Sequence, residues 1–229
     1  MSDQQPKAAR SVAAWGLGWA SALVAVAVMF SPPELASRSG HLTMGGVVGA
    51  LAFGLPTYVS GRIRGSRAPL AEALVWTGGV LIAAALLSTV MTAWHTAMPG
   101  EVNAVTTEGI RARREYMRTG PHLPREAVLV LQVVTGFGLV AGFVSGLIGG
   151  AGVTRAVGLS LMSATAVLVG LVALVVVGPI VVTLLDRGAR VLEYTPVGGP
   201  VALGAAGFAA GCAVGAVIEA ARWILFRHE

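Results

Sequence analysis

The sequence predicts an all-α, polytopic membrane protein of about six transmembrane helices, packed as a glycine-zipper bundle in one integral domain over residues 1–229, on three observations. Hydrophobic residues make up 55% of the chain and charged residues only 12%, and the mean hydropathy is +0.77, more apolar than a water-soluble domain of this size. The charges gather in short stretches separated by apolar runs of roughly 18 to 25 residues, the length at which a helix crosses about 30 Å of hydrocarbon. Glycines recur at every fourth residue within two of these runs, so they fall on one helix face.

The runs place spans at about 12–30, 42–60, 71–95, 127–149, 157–184 and 201–222. The polar segment Met1 to Arg10 precedes the first span without an A-x-A-like cleavage signal, so that span reads as uncleaved. Pro56 in the second span and Gly178-Pro179 in the fifth are expected to kink their helices, which membrane bundles tolerate. The one long connection lies within 98–126. It sets Arg111, Arg113, Arg114, Arg118 and Arg125 against Glu101, Glu108, Glu115 and Glu126, and predicts a short helix around 107–118 at the membrane surface or against a partner subunit.

With six spans, both termini share a side with the turns at 61–70 and 150–156. Basic residues divide equally between the two sides. Gly61 to Arg67 packs three arginines into one tight turn, which points to cytoplasmic termini, in a bacterial inner membrane. Trp15, Trp19, Trp94 and Trp223 fall near expected span ends, where interfacial tryptophans belong. The formal charge is +5, but the arginines lie beside acids in span-flanking loops instead of forming a basic stripe, which argues against nucleic acid as a partner. Cys212 is the sole cysteine, so the chain forms no internal disulfide and no cysteine-ligated metal cluster.

The glycine rows are Gly138, Gly142, Gly146 and Gly150 in the fourth span and Gly207, Gly211 and Gly215 in the sixth. Such rows let backbones approach closely, so that van der Waals contact replaces the hydrophobic force missing in lipid. The second span, with Gly45, Gly49 and Gly54, carries a poorer version. The sixth-span row continues to Glu219, with Arg222 three residues on. An intramembrane acid on an interface binds protons or cations, while the plainer reading is an edge acid paired with Arg222 at helical spacing. Glu72 reads as a helix-start acid. V-S-G followed by S/T-R-A occurs twice, at Val59–Gly61 with Ser66–Ala68 and at Val144–Gly146 with Thr154–Ala156, a faint parallel repeat.

Three of the four histidines, His41, His95 and His122, fall at the membrane edge away from the termini. Antiparallel neighbours would bring His41 and His95 together, and imidazole nitrogens there can ligate haem iron, copper or zinc. The plainer alternative is that interfacial histidines tolerate a polar boundary.

The stretch H-L-T-M-G-G-V-V-G-A-L-A-F-G-L-P-T-Y-V-S-G-R, His41 to Arg62, resembles a histidine-headed hairpin in the catalytic subunits of haem-copper oxidases and nitric-oxide reductases, a match that extends to about Val90. The resemblance implies that His41 is a haem-ligand position, Gly45 and Gly54 are packing glycines, and Tyr58 and Arg62 mark the exit. Catalytic subunits of that family resemble twelve-span bundles with six metal-ligating histidines, one pair of them adjacent. This chain has half the spans, four histidines and no adjacent pair, which implies a reduced relative or accessory subunit, with one b-type haem between His41 and His95. Gly142 to Gly152, G-F-V-S-G-L-I-G-G-A-G, looks like the glycine-rich signature of small anion exporters of the sulfite-exporter type, but those resemble two inverted copies and only one is present here.

The expectation is therefore a non-catalytic integral subunit of a larger membrane complex, respiratory or electron-transferring, that contacts lipid and meets other subunits through the 98–126 loop and the glycine faces. The competing expectation is a small homo-oligomeric transporter or channel using Glu219 or the His41/His95 edge. No H-E-x-x-H, G-x-S-x-G or strand-flanked G-x-G-x-x-G supports an enzyme.

Overall fold

The computed structural model describes residues 4–29, 38–97, 123–188 and 198–226. Among them every regular element is helical: α1 (Gln4–Met29), α2 (Arg38–Val48), a π-helical segment (Gly49–Gly54), α3 (Leu55–Arg64), α4 (Pro69–Ala97), α5 (Leu123–Ile148), α6 (Val153–Gly188) and α7 (Gly198–Phe226). Six helical stretches are long and apolar enough to cross a membrane, with α2, the π segment and α3 forming one of them. Large apolar side chains such as Leu17, Ile82, Val140 and Leu161 point outward, the inverse of a water-soluble protein and the arrangement that lipid requires. The segment 98–122, with the helix expected around 107–118, lies outside the described residues, as do His122 and the side chains of Trp94 and His95.

The spans close into a ring. Each packs on its neighbours in sequence, and the first and last, α1 and α7, share the largest interface. Most glycines of the two rows lie against a neighbouring helix. A Cβ added to Gly138 would stand 2.7 Å from Ala164 Cα, and at Gly142 and Gly146 it would meet Ser163 and Ala156, all on α6. On α7, Gly207, Gly211 and Gly215 press against the backbone of Trp19, Trp15 and Val12 on α1. Gly150 stands apart from its row: with φ at 88° it ends α5 in a left-handed turn, a conformation that glycine adopts without Cβ strain. Ser160 Oγ adds an interhelical hydrogen bond, donating to Leu139 O at 2.6 Å.

Pro56 explains the π segment. Its ring removes one backbone donor and crowds the carbonyl four residues back. The helix widens just before it, and Leu55 N–H bonds to Ala50 O, five residues away. α6, by contrast, runs through Gly178-Pro179 as one helix.

The ring interior is aromatic. Trp15 and Trp19 from α1, Phe53 from the π segment, Trp76 from α4 and Phe137 from α5 form one cluster, backed by Val167 and Val214. Phe53 stacks on Trp76 with centroids 5.7 Å apart, and Phe137 meets both edge-on at 5.4 Å. Each such pair adds about 1 kcal/mol beyond its packing. Trp15 and Trp19, expected at the interface, are instead core residues, 2% and 7% exposed. The first candidate span begins at Pro6 and not near residue 12, so Trp15 stands roughly 13 Å along the helix axis from its start. Trp223 is exposed near the end of α7, as expected.

The turns after α3 and α5 share one backbone solution. Gly65 and Gly150 both have positive φ. Ser66 N–H bonds to Gly61 O at 2.9 Å and Ala151 N–H to Gly146 O at 3.0 Å, while Gly65 and Gly150 reach Arg62 O and Leu147 O, which makes each a Schellman turn. The V-S-G halves of the repeat are thus equivalent. The S/T-R-A halves are not, because Ser66–Ala68 precedes α4 whereas Thr154–Ala156 lies inside α6.

Candidate functional site

At the end of the ring shared by the two chain termini, four helices contribute charged or hydroxyl groups to one cluster. Ser11 lies two turns into α1 and one turn before Trp15, and Glu72 stands in the same relation to Trp76 on α4. Each inward face therefore presents a polar group first and an indole about 6 Å deeper. Arg64 closes α3, seven residues after Thr57 and on the same face. Glu219 and Arg222 lie in the last two turns of α7.

Glu219 is the hub. Arg64 Nη1 pairs with its Oε1 at 2.5 Å, and Ser11 Oγ donates to the same oxygen at 2.6 Å. The first, second and sixth spans therefore meet at one carboxylate. The expected local pairing of Glu219 with Arg222 is replaced by this interhelical one, and Arg222 interacts with Glu219 and Glu72 only at longer range. The side chains of Arg64 and Glu219 are 19% and 16% exposed, so the pair reaches solvent from the terminal end while being largely enclosed. Glu72, expected as a helix-start acid, sits in the first turn of α4 yet is only 2% exposed and accepts a hydrogen bond from Ser66 Oγ. It fits because position 149 is glycine: a Cβ there would stand 3.1 Å from Glu72 Oε1.

Beside the cluster lies a narrow cavity of about 20 Å³ between the helices, with room for only a few atoms. Its walls include Arg64, Arg222, Thr57, Ser145 and Ser163, and it ends against Trp15 and Trp76. The aromatic cluster thus seals the cavity from the far half of the bundle. Four polar atoms around it are enclosed without a hydrogen-bond partner: Trp15 Nε1, Thr57 Oγ1, Arg64 Nε and Arg222 Nε. Three of these are N–H donors with no accepting capacity, and the fourth is a hydroxyl.

At the opposite end, His41 lies in α2 with its Nδ1 enclosed and unpartnered, and His95 belongs to the last turn of α4. Among the described residues no three His, Cys, Asp or Glu side chains converge as a metal-binding group.

Sequence reasoning singled out Glu219 and Arg222 but missed Arg64, Ser11 and Thr57 as their companions. One signal was present: an acid buried on a glycine-lined helix face requires a cation from another helix, and Arg64 closes an apolar run. No family model, curated protein or solved structure matches the chain, and the functional reading rests on this geometry.

Proposed function

We propose that the chain is a small membrane transporter whose solute or ion site is the Arg64–Glu219–Ser11 cluster with its adjoining cavity. The observation that carries this reading is the position of the charge pair: inside a ring of apolar helices, open toward one end and sealed toward the other by five aromatic residues. Ionisable groups are costly within a bilayer, and where they face a bundle interior they mark pathways for ions or polar solutes. The π-helical segment supports the reading, since Phe53 of the aromatic seal stands on it and such segments are frequent at functional sites. Bending there would move Phe53 away from Trp76 and open the cavity to the far side. The glycine rows act as zippers that keep the other helices in register. The three arginines around the 61–67 turn support cytoplasmic termini in a bacterial inner membrane.

The test is flux into liposomes containing the purified chain, driven by a proton or anion gradient. Glu219→Gln abolishes flux while leaving the protein monodisperse. Unchanged flux would remove Glu219 from the transport path.

A second reading, an accessory subunit of a respiratory or electron-transfer complex, is favoured by two observations. His41 Nδ1 is enclosed without a partner. An apolar groove between α4 and α5 also faces outward, with Gly78 and Gly136 open on its floor, a shape that suits a helix of another subunit. A b-type haem held by His41 and His95 gives a reduced-minus-oxidised absorbance band that His41→Ala removes. A colourless preparation that purifies without companions would sink this reading.

A further inference from the structure

We infer that the cavity beside Arg64 and Arg222 binds a small oxyanion or carboxylate of only a few heavy atoms. This inference rests on the transporter reading for its purpose, but not for its chemistry. The chemistry follows from which atoms lack partners. Trp15 and Thr57 are 2% and 3% exposed, both line the cavity, and neither Trp15 Nε1 nor Thr57 Oγ1 has a hydrogen-bond partner. Arg64 Nε and Arg222 Nε, on the same walls, are unpartnered as well. Leaving so many buried donors unmade costs about 1 to 3 kcal/mol each, so the arrangement favours a guest rich in hydrogen-bond acceptors.

Charge points the same way. Within the cluster Arg64 pairs directly with Glu219. Arg222 lines the cavity with its guanidinium free of any such pair, and guanidinium groups match the planar oxygens of a carboxylate or oxyanion in bidentate fashion. A cation fits poorly, because the cavity walls carry Arg64 and Arg222 and neither Glu219 nor Glu72. The narrow walls exclude a large organic anion, and the closed end on Trp15 and Trp76 confines the guest to the terminal half.

The experiment is a titration of the full chain in lipid nanodiscs, followed by thermal stability and tryptophan fluorescence. Potassium formate, nitrate and chloride are tested separately at ionic strength held constant with potassium gluconate, which is too large to enter. The expected result is saturable stabilisation by formate, nitrate or both, with the two arms separating a carboxylate from an inorganic oxyanion. Thr57→Val, which keeps the shape and deletes the hydroxyl, weakens binding about tenfold, as loss of one hydrogen bond to a charged group does. Arg222→Gln weakens it about a hundredfold, and Arg222→Lys does not restore it, because an ammonium lacks the planar fork. Binding by chloride alone, no saturable binding, or equal affinity in wild type and a folded Thr57→Val variant would overturn the inference. Anion binding without liposome flux would sink the transporter reading and leave this site standing. Flux dependent on Glu219 without anion binding would do the reverse.

Discussion

The hairpin turns after α3 and α5 have the same Schellman backbone and opposite chemistry. Aligned on V-S-G and the left-handed glycine, Phe53, Thr57 and Arg64 of the second span correspond to Gly138, Gly142 and Gly149 of the fourth. The first hairpin sends an aromatic ring, a hydroxyl and a guanidinium into the lumen. The second offers bare backbone at every matching position, against which α6 and the Glu72 carboxylate close. One frame thus serves two roles: one copy supplies the groups and the other supplies the space. In a lipid-embedded ring this division is economical, because each polar group in the interior must find a partner and each added side chain must find room.

The sharpest way to break the decorated hairpin is to strand its arginine. Glu219→Leu leaves Arg64 enclosed without its carboxylate and is expected to destabilise the bundle by about 3 kcal/mol, read from detergent or thermal unfolding. A double variant, Glu219→Leu with Arg64→Met, recovers much of that loss, and failure to recover would show that Ser11 and the packing of Glu219 matter more than the charge. The bare hairpin breaks at its glycines. Gly138→Ala drives a methyl into the α6 backbone and costs about 2 kcal/mol, with the loss of α5–α6 proximity followed by cysteine cross-linking. The two turns themselves should respond alike: Gly65→Ala and Gly150→Ala each cost about 1 kcal/mol for a positive φ, and a large inequality in their unfolding midpoints would deny the equivalence. The smallest effects distinguish the paired serines. Ser60 is fully buried and donates to Pro56 O, so Ser60→Ala costs up to about 1 kcal/mol. Ser145 faces the cavity, so Ser145→Ala leaves stability nearly unchanged and acts on ligand affinity instead.

Much of the fold was legible because a bilayer imposes a length: apolar runs of about 20 residues can do little except span it. An all-helical chain with six helices long and apolar enough to span a membrane, and a shared end for both termini, followed from spacing. The failures share one cause, which is that spacing along a chain carries no information about which helix stands opposite. Trp15 and Trp19 read as interfacial because the apolar run places the first span from about residue 12, whereas the candidate span begins at Pro6. Arg222 looked like the partner of Glu219 because it was the nearest cation on the same helix. Arg64, which takes that place, lies 155 residues away. The π segment was foreshadowed by Pro56 only as a kink, since how a helix absorbs a lost hydrogen bond is decided by what packs on it. Here Thr77 Oγ1 reaches back to Gly49 O.

The bond between Ser11 and Glu219 joins the first helix of the chain to the last across 208 residues of sequence. For a protein threaded into the membrane span by span, this sets an order of events. Until α7 has entered, Arg64 lacks the carboxylate that pairs with it directly, Glu72 acting on it only at longer range, and Trp15 lacks the glycine surface that receives it. Insertion of α7 both shuts the ring and brings Glu219 to Arg64 and Ser11, so closure of the bundle and assembly of the cluster become the same step.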